Sequence, residues 1–404
     1  MDSTLDNLFQ KLSRSYPDTP FEVKFWDGSI KGYGKGGNKF KLILKKKSVV
    51  GRILKEGSLG FGEEFMKGNI EVEGDLQELV KLGNDKAYNS LHFPFFKKIK
   101  LIYKYFSSLD TIRNAKKNVI YHYNVGNDFY KLWLDETLTY SCAYFKKDSD
   151  TLMQAQLNKY DHLCKKMQLK SGETLVDIGC GWGGMMFYAA KNYGANCVGY
   201  TLAENQYDYV KEMISREQLD DKVKIYLKDY RQASGQFDKF VSIGMFEHVG
   251  KEFYPEFFSM VKKILKPRGI GVLHSIGTIN DRPTDPWVTT YIFPGGRIPT
   301  LPVITSFMNE SNLVFYDIED LRMHYAKTLD YWINNLEQNI EKVKKTAFDI
   351  LKDDDKVTKF IRMWRLYLNG SSSSFKYGER RLYQITFTNG LNNDLPSTRE
   401  YLYG

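Results

Sequence analysis

Apolar residues in the first helical stretch fall at Leu5, Leu8, Phe9 and Leu12, the three-and-four spacing of one helix face, and Pro17 follows its end. Residues 20–75 then switch to short apolar stretches, FEVKFWDGSI, KFKLILKK and GNIEVEGD, cut by DG and GG pairs that read as turns. The expectation is a small α+β domain over residues 1–90. From about 171 to 280 the pattern changes again. TLVDIG, ANCVGYTL, VKIYLKDY, FDKFVSIG and GIGVLHSIG read as strands with helical segments between them, which implies a parallel sheet wrapped by helices. Residues 285–404 are richer in helix. Val357, Phe360, Ile361, Trp364 and Leu368 share one face, with Lys359, Arg362 and Arg365 off it, and this reads as a core helix rather than a membrane-facing one.

Residues 91–106, LHFPFFKKIKLIYKYF, interleave aromatics with lysines. Two readings stand: a segment lying in a membrane interface, or an ordinary linker helix. The expected division is therefore 1–90, a linker over 91–118, and a main domain over 119–404. Charge sharpens this picture. Residues 1–118 hold 22 Lys and Arg against 14 Asp and Glu, a net of +8, while the whole chain carries +9. A polyanion, either anionic lipid or nucleic acid, fits the basic part; a plain solvated surface is the alternative.

No apolar run approaches the roughly 18 residues of a spanning helix. MDSTLDNLFQ shows no basic and apolar leader, so no signal peptide is expected. Cys142, Cys164, Cys180 and Cys197 form no CxxC pair and no metal spacing, and they fit a reducing, cytoplasmic compartment.

The segment LVDIGCGWGG, Leu175–Gly184, leaves a strand, passes Gly179, Gly181 and Gly183, and enters a helix. Glycines at such a turn let a ligand approach the backbone and the helix N-terminus. The spacing is D-x-G-x-G-x-G beginning at Asp177, not the G-x-G-x-x-G of a dinucleotide fold. The next strand ends in GYTLAENQ, Gly199–Gln206, with no acid at its tip. This combination resembles S-adenosylmethionine (SAM) methyltransferases, and the resemblance puts Asp229 of LKDYR near the adenine. MFEHVG, Met245–Gly250, poses a separate question: a glutamate and a histidine leave a buried strand together. Either the pair caps a helix, or something there needs the charge, because an unpartnered buried carboxylate is costly.

Several segments in order resemble the cyclopropane-fatty-acyl-phospholipid synthase family, which includes the mycolic acid cyclopropane synthases. They are YHYNVGNDFYKLWLDETLTYSCAYF (121–145), LVDIGCGWGG, GYTLAENQ, FDKFVSIGMFEHVG (237–250), GVLHSIG (271–277), FPGG (293–296), HYAKTLDYW (324–332) and MWRLYLNGSSSSF (363–375). The resemblance implies an α/β fold: a Rossmann-like SAM-dependent methyltransferase domain with helical lipid-binding insertions, plus the small N-terminal α+β domain. It implies transfer of a methylene carbon from SAM to the cis double bond of unsaturated phospholipid acyl chains, with bound bicarbonate as general base. The implied bicarbonate ligands are Cys142, Glu247, His274, Ile276 and Tyr325, with His248 a neighbour. On the SAM side it implies Tyr140 and Ser141 at the methionine end, Gly179, Gly181 and Gly183 as the backbone cradle, and Thr201 and Gln206 near the ribose.

The aromatic supply, Tyr140, Tyr144, Tyr325 and Trp332, suits a cationic reaction centre. One position departs from the family pattern. Ser371 stands where many members carry a cysteine, so no thiolate acts there. The expected partners are membrane phospholipids and an anionic membrane surface, reached peripherally from the cytoplasmic side. A homodimer fits, since two basic faces bind a membrane more tightly than one. A nucleic-acid methyltransferase is the rival suggested by the basic part, but no NPPY-like segment or PC dyad is present to act on a base. A methyl-branching enzyme of the same fold and a catalytically inert lipid binder are the other rivals.

Overall fold

The computed structural model describes residues 3–83 and 126–403, so the aromatic and basic segment 91–106 and the linker expected over 91–118 lie outside the described residues. The chain forms two compact units: Met1–Ser107 with Thr284–Pro294 and Trp332–Glu379, and Ser108–Pro283 with Gly295–Tyr331 and Arg380–Gly404.

In the first unit the helix Ser3–Ser15 buries Leu5, Phe9 and Leu12. Four strands follow: β1 (Phe21–Lys24), β2 (Ile30–Tyr33), β3 (Phe40–Leu44) and β4 (Ile70–Gly74), in the order β2-β1-β3-β4. β1 runs parallel to β3, and the other two pairings are antiparallel. Strand alternation buries Phe40, Leu42 and Leu44 on one face of β3. Two helices, Lys47–Glu56 and Ser58–Met66, lie between β3 and β4, where the sequence pattern reads as strands and turns. Glycines disguise them. Gly57, at φ 59°, separates the two helices, and Gly62 inside the second leaves space that the Trp287 indole takes.

The core of this unit draws on all three of its chain segments: Trp287, Ile292 and Leu366 pack in one apolar cluster with Leu5, Phe21 and Val49. The long helix Asp354–Tyr377 buries Val357, Ile361, Trp364 and Leu368, the face that the 356–368 periodicity predicts. From its opposite side Arg362 donates to the carbonyls of Phe65 (2.5 Å) and Ile70 (2.6 Å) and to Glu71 (2.9 Å), with its guanidinium 4.4 Å from the Phe65 ring.

The second unit holds a seven-stranded sheet: β5 (Thr174–Ile178), β6 (Asn196–Thr201), β7 (Val223–Leu227), β8 (Phe237–Ile243), β9 (Leu265–Thr278), β10 (Leu313–Asp320) and β11 (Arg380–Asn389), ordered β10-β11-β9-β8-β5-β6-β7. β7, β6, β5, β8 and β9 are parallel, as the strand–helix alternation predicts, and β11 runs antiparallel to both β9 and β10. Successive residues of β5 enter different apolar clusters, Leu175 one and Val176 the other, so both faces of the sheet are covered. The region after residue 285 is not only helical: it supplies the β10–β11 pair. Those two strands are some sixty residues apart in the chain, and the long helices between them dominate the local pattern.

Candidate active site

The turn after β5 is where the glycines act. Gly179, Gly181 and Gly183 have φ of 82°, 55° and 83°, conformations that suit residues without a Cβ. A Cβ on Gly179 would lie 2.6 Å from Met245, while one on Gly181 would meet nothing within 4 Å, so the backbone is bare there. The helix Gly184–Tyr193 starts directly behind, with its N-terminal N–H groups turned to this turn. Asp177 on β5 is 1% exposed; burial pushes its carboxyl up to about 7 against the pull of the Lys159 charge, and its Oδ1 has no hydrogen-bond partner among the described residues.

At the tip of β6, Thr201 donates to Gln206 Oε1 (2.8 Å), which leaves the Gln206 amide N–H groups as donors. Asp229 opens the turn after β7, where Arg231 engages both of its carboxylate oxygens and the Arg231 N–H is capped.

The segment Thr139–Phe145 is tied down from three directions. Gln156 donates to the Ser141 carbonyl (3.0 Å), and Lys159 donates to Ser141 Oγ (2.8 Å). The Ala143 N–H donates to Thr328 Oγ1 (3.0 Å) and the Phe145 N–H to His324 Nδ1 (3.0 Å), so the helix Arg322–Gln338, which carries half-buried Tyr325 in its first turn, is joined to the Cys142 segment. Tyr144 stacks between His162 (4.2 Å) and His324 (4.9 Å). Cys142 is fully buried, and burial pushes its thiol far up, so it stays an S–H. Tyr140 packs on Tyr130 (5.6 Å) and Trp133 (5.4 Å), and Tyr130 lies 5.1 Å from Trp182 of the glycine turn.

MFEHVG follows β8. Phe246–His248 form a single 3₁₀ turn with no side-chain cap, so Glu247 is not there to cap a helix. Instead its Oε1 accepts the Ile276 N–H at 2.6 Å. Burial pushes the Glu247 carboxyl up to about 7, and burial lowers half-buried His248 to about 4. His274 pairs with Ile243 across the β8–β9 ladder and accepts the Gly244 N–H on its carbonyl (2.8 Å). The imidazole is 1% exposed; burial, then the charges of Lys159 and Lys166, hold it well below its ordinary range, so it is neutral.

Glu247 Oε2 and His274 Nε2 are buried without a hydrogen-bond partner among the described residues. One is an acceptor and the other a ring nitrogen, a pair that suits a small oxyanion bearing both an O–H and negative oxygens. A buried polar atom left unpaired costs about 1–3 kcal/mol, so each of these two calls for a partner that the described residues do not supply.

The glycine turn and MFEHVG follow the C-terminal ends of two neighbouring parallel strands, β5 and β8, where open α/β sheets take their ligands. Gly179 abuts Met245, a Cβ on Gly244 would lie 4.0 Å from Ser141, and Ser141 reaches Lys159. Ser371 lies on the helix Asp354–Tyr377 of the first unit, where Ser373, two residues on, donates to the Gln77 carbonyl (3.0 Å). Sequence reasoning passed over Lys159, Trp133, Asp135 and Gln384. Lys159 is fully buried on the helix Leu152–Lys166; burial pushes its amine down to about 7 against the pull of Asp135, Cys142 and Asp177. Its only sequence signal is a lysine on the apolar side of a helix.

The family described as mycolic acid cyclopropane synthetase matches residues 110–385, and a family described as a domain of unknown function matches 8–93. The chain is 35% identical over 396 residues to a probable fatty acid methyltransferase of Pseudomonas putida, covering 95% of this chain and 96% of that one. It is 36% identical to the cyclopropane-fatty-acyl-phospholipid synthase of Escherichia coli K12, covering 88% and 90%. Among solved structures, a mycolic acid cyclopropane synthase complexed with SAH and CTAB superposes with a TM-score of 0.62 at 33% identity, over 68% of this chain and 98% of that one. With a glycine turn, a methyltransferase sheet and these matches spanning most of its length, the chain belongs to the mycolic acid cyclopropane synthetase family.

Proposed function

We propose that this protein transfers a methylene carbon from SAM to the cis double bond of unsaturated phospholipid acyl chains, forming a cyclopropane ring, with bound bicarbonate as the general base. The observation that carries the reading is a buried Glu247 carboxylate, one oxygen unpaired and the other clamped by the Ile276 N–H, two residues along β9 from a neutral His274 with an unpaired Nε2.

SAM supplies an electrophilic sulfonium methyl. The alkene π pair forms the new C–C bond, the S–C pair leaves with the thioether, and a cation remains on the acyl chain. Ring closure then takes the electron pair of one methyl C–H bond as its proton departs to a base. Bicarbonate supplies that base. Glu247, when ionised, accepts from its hydroxyl and so orients it. His274 Nε2 and the Tyr325 hydroxyl donate to its other oxygens, and the Cys142 thiol is a weak further donor. Ile276 acts through Glu247, because its N–H is already engaged there.

Tyr140 and Ser141 hold the methionine end of SAM, and Lys159 fixes the Ser141 hydroxyl. Asp177 with Gly179, Gly181 and Gly183 lines the turn. Thr201 and Gln206 serve the ribose, with the Gln206 amide donating, and the Asp229 turn lies at the adenine end. In this reading residues 119–404 carry the catalytic machinery and the basic N-terminal part, residues 1–118, meets the anionic inner face of the membrane. The chain works there as a peripheral protein, with a homodimer as its assembly. No helix among the described residues is long and apolar enough to cross a membrane.

The likeness to a fatty acid methyltransferase sustains a second reading, in which the cation is quenched to a methyl branch. One experiment tests both. Purified chain is incubated with SAM, bicarbonate and vesicles of a monounsaturated phospholipid, and the released acyl chains are weighed before and after catalytic hydrogenation under conditions that reduce alkenes only. A gain of one CH₂ that then takes up no hydrogen is the ring. A product that takes up hydrogen, or that has gained CH₄, is a methylated chain and overturns the proposal, as does no product.

A further inference from the structure

We propose that Gln384 is a positioning residue for this site: its side-chain amide donates to Nδ1 of His274 and thereby keeps the imidazole proton on Nε2. The proposal rests on the reading of His274 as an oxyanion ligand and adds the device that makes it a donor.

The β9–β11 ladder pairs His274 with Gln384 directly, between the pairs Leu273–Ile385 and Ser275–Tyr383. Directly opposed residues project from the same face of a sheet with their Cβ atoms roughly 5 Å apart, so the two side chains are neighbours by register alone. Gln384 is 0% exposed and His274 1%, and the Gln384 Nε2 to His274 Nδ1 distance is 3.2 Å.

A neutral imidazole has one donor nitrogen and one acceptor nitrogen, and the partner of either decides the other. With the amide nitrogen donating, Nδ1 accepts and Nε2 holds the proton. Nε2 is the nitrogen that has no partner among the described residues, and so the one left for a ligand. The opposite amide orientation would place Oε1 against Nδ1, draw the proton there and leave Nε2 a bare acceptor. Glu247 already brings an acceptor to this site, through its unpaired Oε2. Negative oxygens need donors, and only the first orientation makes His274 one. A cationic imidazole would donate from both nitrogens regardless, but burial and the charges of Lys159 and Lys166 keep this ring neutral.

The test uses the full-length chain with ¹⁵N-labelled histidine, the His274 signals being assigned by their loss in His274→Asn. The ring nitrogen shifts report the tautomer directly, before any bicarbonate is added. The wild type should show a protonated Nε2 and a hydrogen-bonded, unprotonated Nδ1. Gln384→Met keeps the volume and removes the donor; it should mix the tautomers and lower kcat by about 10- to 100-fold, the scale on which loss of a group that orients a functional histidine acts. The KM for SAM should stay within about twofold, since the glycine turn is untouched.

Gln384→Glu offers Nδ1 an acceptor instead. It should move the proton to Nδ1 and so exchange the two ring-nitrogen shifts, a spectroscopic change that a packing role would not produce. A wild-type Nδ1–H tautomer overturns the proposal, and so does unchanged turnover in Gln384→Met. If Gln384→Met fails to fold, the wild-type and Gln384→Glu spectra still decide. If the tautomer and turnover respond as expected but the rate is independent of bicarbonate, the ion is wrong and the positioning role of Gln384 stands.

Discussion

The Ile276 N–H, on β9, donates to Glu247 Oε1 at 2.6 Å, so a carboxylate from the turn after one strand is aimed by the backbone of its neighbour. Glutamine can keep that bond through its own carbonyl oxygen. It then presents an N–H₂ group where Glu247 presents its unpaired oxygen.

Glu247→Gln should therefore fold normally and bind SAM with little change, while turnover falls on the order of 100-fold or more. Isothermal titration with SAH and a steady-state rate against bicarbonate check this. Partial rescue at high bicarbonate is the expected outcome, because a misoriented ion can be recovered by mass action. Near-normal turnover at low bicarbonate would remove Glu247 from the mechanism.

The same residue sets a pH dependence. Burial raises the Glu247 carboxyl to about 7 from an ordinary 4.5, so between those values the folded state holds a proton that the unfolded chain has lost. Stability from this group is thus undiminished below about 4.5, falls as pH rises to about 7, and stays reduced above it. In urea melts Glu247→Gln should match the wild type near pH 4 and become the more stable of the two by pH 8. The catalytic rate moves the other way. It needs the ionised form, so at fixed bicarbonate it should fall as pH drops below about 7, and that acid limb should be missing from the residual activity of Glu247→Gln.

In the first unit the Trp287 indole occupies the space that a side chain on Gly62 would need. Gly62 is helical, so alanine has no backbone objection there, and helix propensity alone would favour it. Overpacking should win: Gly62→Ala is expected to cost about 1–3 kcal/mol in thermal or urea unfolding. A stabilised Gly62→Ala would mean that the indole moves freely.

The basic surface of the first unit is best probed without deletion. Trp287, Ile292 and Leu366 share a core with the N-terminal residues, so removing residues 1–90 strips one side of that core. Lys35, Lys39, Lys46 and Lys47 are exposed. Changing all four to Glu should weaken sedimentation with anionic vesicles and leave the melting temperature nearly unchanged. Each lysine near an anionic surface contributes about 1 kcal/mol. Unchanged vesicle binding would move the membrane contact elsewhere.

Much of this protein is determined locally, and local features are legible in the sequence. The glycines of LVDIGCGWGG must be glycines because the turn holds positive φ at Gly179, Gly181 and Gly183. The helical faces of residues 3–15 and 356–368 are legible because burial repeats with the helix period. The five parallel strands are legible because each is an apolar run between helices. Tertiary structure decided the rest, through pairings with no local signature. Glu247 looks equally like a cap until β9 brings Ile276 to it. Lys159 is one more helix lysine until packing buries it at Ser141 and pushes its amine to about 7. Gln384, in a strand of mixed polar and apolar residues, acquires meaning only from a register that sets it beside a histidine 110 residues earlier. A side chain's neighbours across a sheet follow from how the whole chain closes on itself, and burial, which decides protonation, follows from the same closure.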